Sequence, residues 1–175
     1  MSFIEFCAGI RSPLLREVAA HWSKAKAGKR LPAWRDIDPT ELAPHLPNLW
    51  SWKYEADRDR FVGRLAGEEI NELLGRNLRG VPMEEFFAGC QYETIFERHK
   101  RVVSGPCLMR QRGLVFDHIG RLGSGERIIL PLSGDGFRAD GIIGATVYGP
   151  RWSGIAGCNS GTDYPAGELV FLPLD

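Results

Sequence analysis

An α+β fold, with one antiparallel sheet and helices against it, is what this 175-residue sequence predicts, on three observations. Apolar residues recur at helical spacing in two segments, around residues 12–27 and 91–104. Elsewhere the apolar period changes to two, with two strand-like runs ahead of the second helix and three behind it. Glycine (21 residues) and proline (11 residues) are frequent, as turns between short strands require. A chain of this length buries about 70% of its unfolded surface, so a single domain needs no disulfide staples.

The first helix is expected from Ser12 to Ala27. Ser12 can cap it, and Pro13 suits the first helical position, where a missing N–H costs nothing. Leu14, Leu15, Val18, Ala19 and Trp22 form one apolar stripe. Lys24, Lys26, Lys29 and Arg30 complement the helix C-terminus, and Gly28 stops it. Asp38, Pro39 and Glu41 mark a second, short helical start that Pro44 and Pro47 cut off. From Asn48 onward Trp50, Trp52 and Tyr54 alternate with polar neighbours as a strand does. A charged turn, EADRDR, leads to a second strand through Phe61, Gly63 and Leu65. Short helices follow in GEEINELLG, ended by Gly75, and in VPMEEFFAG, opened by Pro82.

The cleanest period lies between Gln91 and Ser104, where Tyr92, Ile95, Phe96, His99, Val102 and Val103 share one helical face. Gly105-Pro106 ends that helix. CLMRQRGLVFDHI, ERIILPL and FRADGIIGATVYG read as three further strands, the first bent at Gly113. Beyond Pro150 the chain is glycine-rich until ELVFLPL, which can add a short edge strand. The expected organisation is a helical segment at 1–47, the main domain at 48–149, and a C-terminal extension at 150–175 packing on it.

Charge and motif content exclude several classes. Twenty-two basic residues balance twenty-two acidic ones, so the chain has no net pull toward nucleic acid or an anionic membrane. Neither a signal-like start nor an apolar run of about 18 residues is present, and a cytoplasmic location is expected. Cysteines at 7, 90, 107 and 158 contain no C-x-x-C pair and are expected as reduced thiols. Gly75 to Gly80 has P-loop glycine spacing, yet Val81 and Pro82 stand where Lys and Ser/Thr belong. The four histidines form no H-E-x-x-H, and around Ser124 the positions where a nucleophile elbow needs glycine hold Leu122 and Glu126. Asp117 and His118, at a strand end, are the one pair a small isomerase or lyase could use as base.

Three stretches carry a family resemblance: WRDIDPTELAPHLPNLW, FVGRLAGEEINELLGRNLRG and ERIILPLSGDG. Their D-I-D-P (Asp36 to Pro39), R-L-A-G (Arg64 to Gly67), L-P-L (Leu130 to Leu132) and Asp135-Gly136 turn resemble a family of short bacterial proteins with one PAS-like domain behind an N-terminal helix. The resemblance covers roughly residues 30–149. It implies a PAS-like five-stranded antiparallel sheet with helices on one face, and a cavity between them that senses small molecules or joins partners. The role implied is regulatory rather than catalytic.

Under that resemblance, Trp52, Phe86, Phe96, His99, Met109, Ile128, Leu130 and Tyr148 are the residues expected at the cavity. His99 stands out because it lies on an apolar helical stripe. Haem-binding PAS domains take their iron ligand from this helix, but a core histidine with one hydrogen bond accounts for His99 better than haem does. The flavin reading needs a reactive cysteine in an N-C-R-F-L-Q-like helix, and GCNSG at Gly157 has the Asn and Cys reversed. No metal site is expected. The partners expected are an unidentified small-molecule ligand and an unidentified signalling protein reached in trans. A second copy of the chain could dock on Leu14, Leu15, Val18 and Trp22, although these can equally pack on their own sheet. A dimerisation or interaction scaffold without ligand is the competing reading.

Overall fold

Six strands pair into one antiparallel sheet in the computed structural model, which describes residues 1–116, 122–149 and 167–174. Helix α1 (Phe3–Ala8) and helix α2 (Pro13–Lys26) lead into two short 3-10 turns. Strands β1 (Leu49–Glu55) and β2 (Arg60–Ala66) form a hairpin, followed by α3 (Glu68–Leu74) and the long α4 (Gly89–Ser104). Strands β3 (Cys107–Phe116), β4 (Leu122–Leu132), β5 (Gly141–Tyr148) and β6 (Glu168–Pro173) complete the sheet. The strand order is β2-β1-β5-β4-β3-β6, so the first hairpin joins the last three-strand meander through the β1–β5 pair. The sixth strand exceeds the expected five because ELVFLP pairs along β3 from Cys107 to Arg112.

Local signals explain most boundaries. The Ser12 hydroxyl accepts the Leu15 N–H at the start of α2, with Pro13 in the first turn. Gly75 takes φ +72° at the end of α3, a left-handed conformation that glycine adopts without strain. Helix α1 was not expected; Ser2 and Glu5 form a reciprocal capping box that starts it. Strand β5 begins at Gly141 rather than Phe137, because one Asp135 carboxylate oxygen accepts the N–H groups of Phe137 and Arg138 and folds the approach into a loop. The short helix expected after Asp38 is instead a 3-10 turn over Ala43–Asn48. Cys7 and Cys107 are free thiols, whereas Cys90 is disulfide-bonded, which corrects the expectation of four reduced thiols.

Both faces of the sheet are covered, and strand alternation divides the core in two. On the outer face α1 and α2 lay Phe6, Leu15, Val18 and Trp22 against Leu49, Leu108, Ile128, Leu130 and Ile143. On the inner face α3 and α4 place Ile70, Leu74, Ile95 and Val102 against Trp50, Trp52, Met109, Ile129 and Ile142. The stripe expected to dock a second copy packs inside the chain here. Leu15, Val18 and Trp22 are buried on the chain's own sheet, and Leu14 is half-buried against the same cluster. Burying that stripe within the chain removes apolar surface from water without a second copy.

Candidate functional site

Where α4 crosses the inner face, the side chains leave a semi-enclosed cavity of about 40 Å³. Trp50, Trp52, Ile95, His99 and Arg127 form its floor, with Ile70, Leu74 and Leu78 along one wall. Leu73, Phe87 and Tyr148, all half-buried, complete the lining toward solvent.

Neighbouring strands set up the polar part of this floor. Trp50 on β1 faces Gly144 on β5, and a Cβ at position 144 would stand 2.2 Å from the indole ring. Only glycine lets the indole lie there. Trp50 then donates its Nε1–H to the buried Thr146 hydroxyl at 2.9 Å. The same oxygen accepts Arg127 Nε–H at 3.0 Å, which holds the guanidinium on the inner face. Next along the row, Gln111 on β3 is the cross-strand partner of Arg127 and accepts from Arg98 of α4 at 3.2 Å.

His99 is buried against this row, its ring 5.4 Å from that of Trp50 and 5.7 Å from that of Phe61. Its Nδ1 donates to the Ile95 carbonyl one turn back at 2.6 Å, which assigns the proton to Nδ1 and leaves Nε2 an acceptor. Burial, and then the charge of Arg127, push its pKa down to about 3, against the weaker opposing effect of the Ile95 hydrogen bond. The imidazole is therefore neutral near pH 7. Arg98 also has a lowered pKa, first from desolvation and then from repulsion by Arg127.

Of the residues expected at the cavity, Trp52, His99 and Tyr148 line it. Phe86 meets Trp52 edge-on at 6.0 Å, and Phe96 packs between Tyr92 and Phe61; both belong to the inner core beside the space. Met109 is wholly buried in that same core and does not reach the space. Ile128 and Leu130 are corrections. They point to the outer face and pack under α2, because the inward positions of β4 are Arg127 and Ile129. The lining residues missed are Trp50, Ile70, Leu73, Leu74, Leu78, Phe87, Ile95 and Arg127. A signal for Arg127 existed: it is a cation opening the apolar run IILPL, two positions before the buried Ile129. Asp117, His118 and GCNSG lie outside the described residues.

About 40 Å³ holds a few water-sized groups, whereas a cofactor-sized pocket runs to several hundred cubic ångströms. Neither a haem on His99 nor a flavin fits this space. Among the described residues no group of three or more His, Cys, Asp or Glu could hold a metal ion. Among them, too, no helix is long and apolar enough to cross a membrane.

An antiparallel sheet carrying a long helix across its inner face, with a small aromatic and polar cavity beneath, places the chain in the α+β class. The PAS domain family model matches residues 10–147, most of the chain, and the chain belongs to that family. The match takes in α2 as well as the strands up to β5. PAS membership gives the chain a sensory or regulatory role in general terms. Among curated proteins, none matches this chain.

Proposed function

We propose that the domain is a non-catalytic sensor that binds a small molecule in the cavity under α4 and reports its occupancy to another protein. The observation that supports this is the polar floor of the cavity. A packed interior with no ligand to meet has no need of a neutral imidazole and a guanidinium beside two indoles, because each polar group brought inside costs free energy. Helix α4 offers the route outward. Ile95 and His99 face the cavity, while Glu97, Lys100 and Arg101 of the same helix border a surface groove with Leu169 and Phe171 of β6. A ligand that shifts α4 alters that surface.

The second reading, an interaction scaffold without ligand, draws its support from the small volume of the cavity. Native mass spectrometry of freshly purified protein separates the two. The sensor reading expects a non-covalent adduct that is absent from Leu73→Trp, where the larger ring blocks the rim. Wild-type protein that carries no adduct, and whose melting temperature no metabolite in a broad panel raises, leaves the scaffold reading in place.

A further inference from the structure

Each of several arginines and lysines near the sheet meets a carboxylate. Arg110 and Arg112 share Glu168, Arg60 pairs with Glu55 at 2.8 Å, and Lys100 pairs with Asp59 at 2.6 Å. Arg127 and Arg98 do not. No carboxylate among the described residues lies within 4.0 Å of either one, although both are half-buried. The acid closest in sequence to Arg127 is Glu126, and strand alternation turns it to the opposite face. There its two oxygens accept the N–H groups of Arg11 (2.8 Å) and Ser12 (2.7 Å). Two guanidinium groups thus lie side by side on the inner face, since Arg98 donates to Gln111 and Gln111 is the cross-strand partner of Arg127; among the described residues their side-chain acceptors are Thr146 and Gln111. Partly desolvated cations in this arrangement repel one another, and an anion on Arg127, which lines the cavity, relieves the repulsion and offsets the desolvation.

We propose that the cavity takes an organic carboxylate, its acid group on Arg127 with Arg98 behind it, and its apolar body against Trp50, Trp52 and Phe87. This rests on the reading of the cavity as a ligand site and names the class of ligand. A guanidinium presents parallel N–H groups that match a planar carboxylate in bidentate fashion. The remaining lining is indole, phenyl and leucine, which selects for an organic body over a bare inorganic ion. His99, being neutral, adds no second positive charge at the floor, so a single acid group suffices. Because the space holds only a few water-sized groups, it takes the acid group and the first atoms of the body, and the rest of a single ring or short chain lies at the rim beside Leu73, Phe87 and Tyr148.

Isothermal titration of the full chain with benzoate and hexanoate, each paired with its neutral amide, tests this. A parallel nitrogen-edited NMR titration follows the Trp50 indole N–H and reports where the probe binds. The acids are expected to bind and shift that resonance, and the amides to bind at least about tenfold more weakly, the cost of losing a charge-assisted pair. Arg127→Gln should weaken benzoate binding by about ten- to a hundredfold, and Arg98→Gln by less, and both should narrow the gap between each acid and its amide. Amides that bind as tightly as the acids overturn the proposal while leaving the cavity a ligand site. Inorganic phosphate that displaces benzoate at equal concentration overturns the choice of an organic anion. Acids that leave the Trp50 signal unmoved at millimolar concentration overturn the site, and the adduct experiment above then decides separately whether the cavity binds anything else.

Discussion

The two faces of the sheet are built from the same strands and differ in how completely they are packed. On the outer face Phe6, Leu15, Leu31, Leu108, Ile128 and Leu130 have no exposed surface, and Trp22 fixes its indole by donating to the Pro131 carbonyl at 2.8 Å. The inner face is as apolar at its edges, yet beneath α4 it holds a void, a buried histidine and an arginine that meets no carboxylate among the described residues. Glu126 and Arg127 show how one strand serves both. Adjacent and opposite in charge, they project to opposite sides, the acid onto the backbone at the start of α2 and the base onto the cavity floor. The outer face fixes the fold, and the inner face leaves room for something else.

Replacing one large side chain on each face sharpens that contrast and gives the largest effect. Trp22→Ala removes a fully packed indole and its hydrogen bond, and should cost about 3–5 kcal/mol, a fall in melting temperature of roughly 10 °C. Leu74→Ala borders a space that already lacks neighbours on one side, so fewer contacts are lost and the cost should sit near ~2 kcal/mol, the low end for such changes. Urea denaturation of both variants checks the order. Equal losses would mean that the inner face is packed as tightly as the outer.

Acid distinguishes the faces next. The unfolded chain protonates His99 near pH 6.5, while the folded chain resists until about pH 3. The stability it contributes is therefore complete above 6.5 and is lost as pH falls toward 3. Between pH 7.5 and 5.5 this amounts to about 1.4 kcal/mol. Asp135, held down to a pKa of about 2 by the Arg138 and Phe137 amides, acts in the same direction but only below its ordinary value of 3.8. Denaturation at pH 7.5 and 5.5 thus leaves Asp135 out of the comparison, and His99→Leu, which removes the His99 share, should reduce the difference by about 1.4 kcal/mol. An undiminished slope in that variant would place the acid-sensitive group elsewhere.

Much of the scaffold could be read from the chain, and the reasons for the rest are specific. The α2 start at Ser12-Pro13, the stop at Gly75 and the face Ile95, His99, Val102, Val103 rest on contacts within a few residues, which local pattern encodes. The face assignment of β4 does not. Because helices cover both sides, ERIILPL is apolar on both, and the period of two that would separate Ile128 from Ile129 is erased. The stripe Leu15, Val18, Trp22 announces an apolar partner without saying whether that partner is the chain's own sheet or a second copy. The cavity is the least legible feature, since a void is set by how side chains from α3, α4 and three strands fail to meet, and no single residue records it.

The smallest effect bears on how α2 is fastened to the outer face. The Ser12 hydroxyl accepts the Leu15 N–H at 3.4 Å, a long bond, and Pro13 already removes one of the unpaired donors of the first turn. The Ser12 N–H meanwhile belongs to the Glu126 carboxylate at 2.7 Å, a stronger, charge-assisted bond that survives truncation of the side chain. Ser12→Ala should therefore cost about 0.5 kcal/mol, the low end for loss of an N-cap. Glu126→Ala leaves two backbone donors, at Arg11 and Ser12, without their acceptor and should cost several times more. Comparing the two urea midpoints tells whether the helix is held by its own cap or by the sheet. If Ser12→Ala proves the more damaging, the strand carboxylate is not the anchor, and the division of labour between Glu126 and Arg127 fails with it.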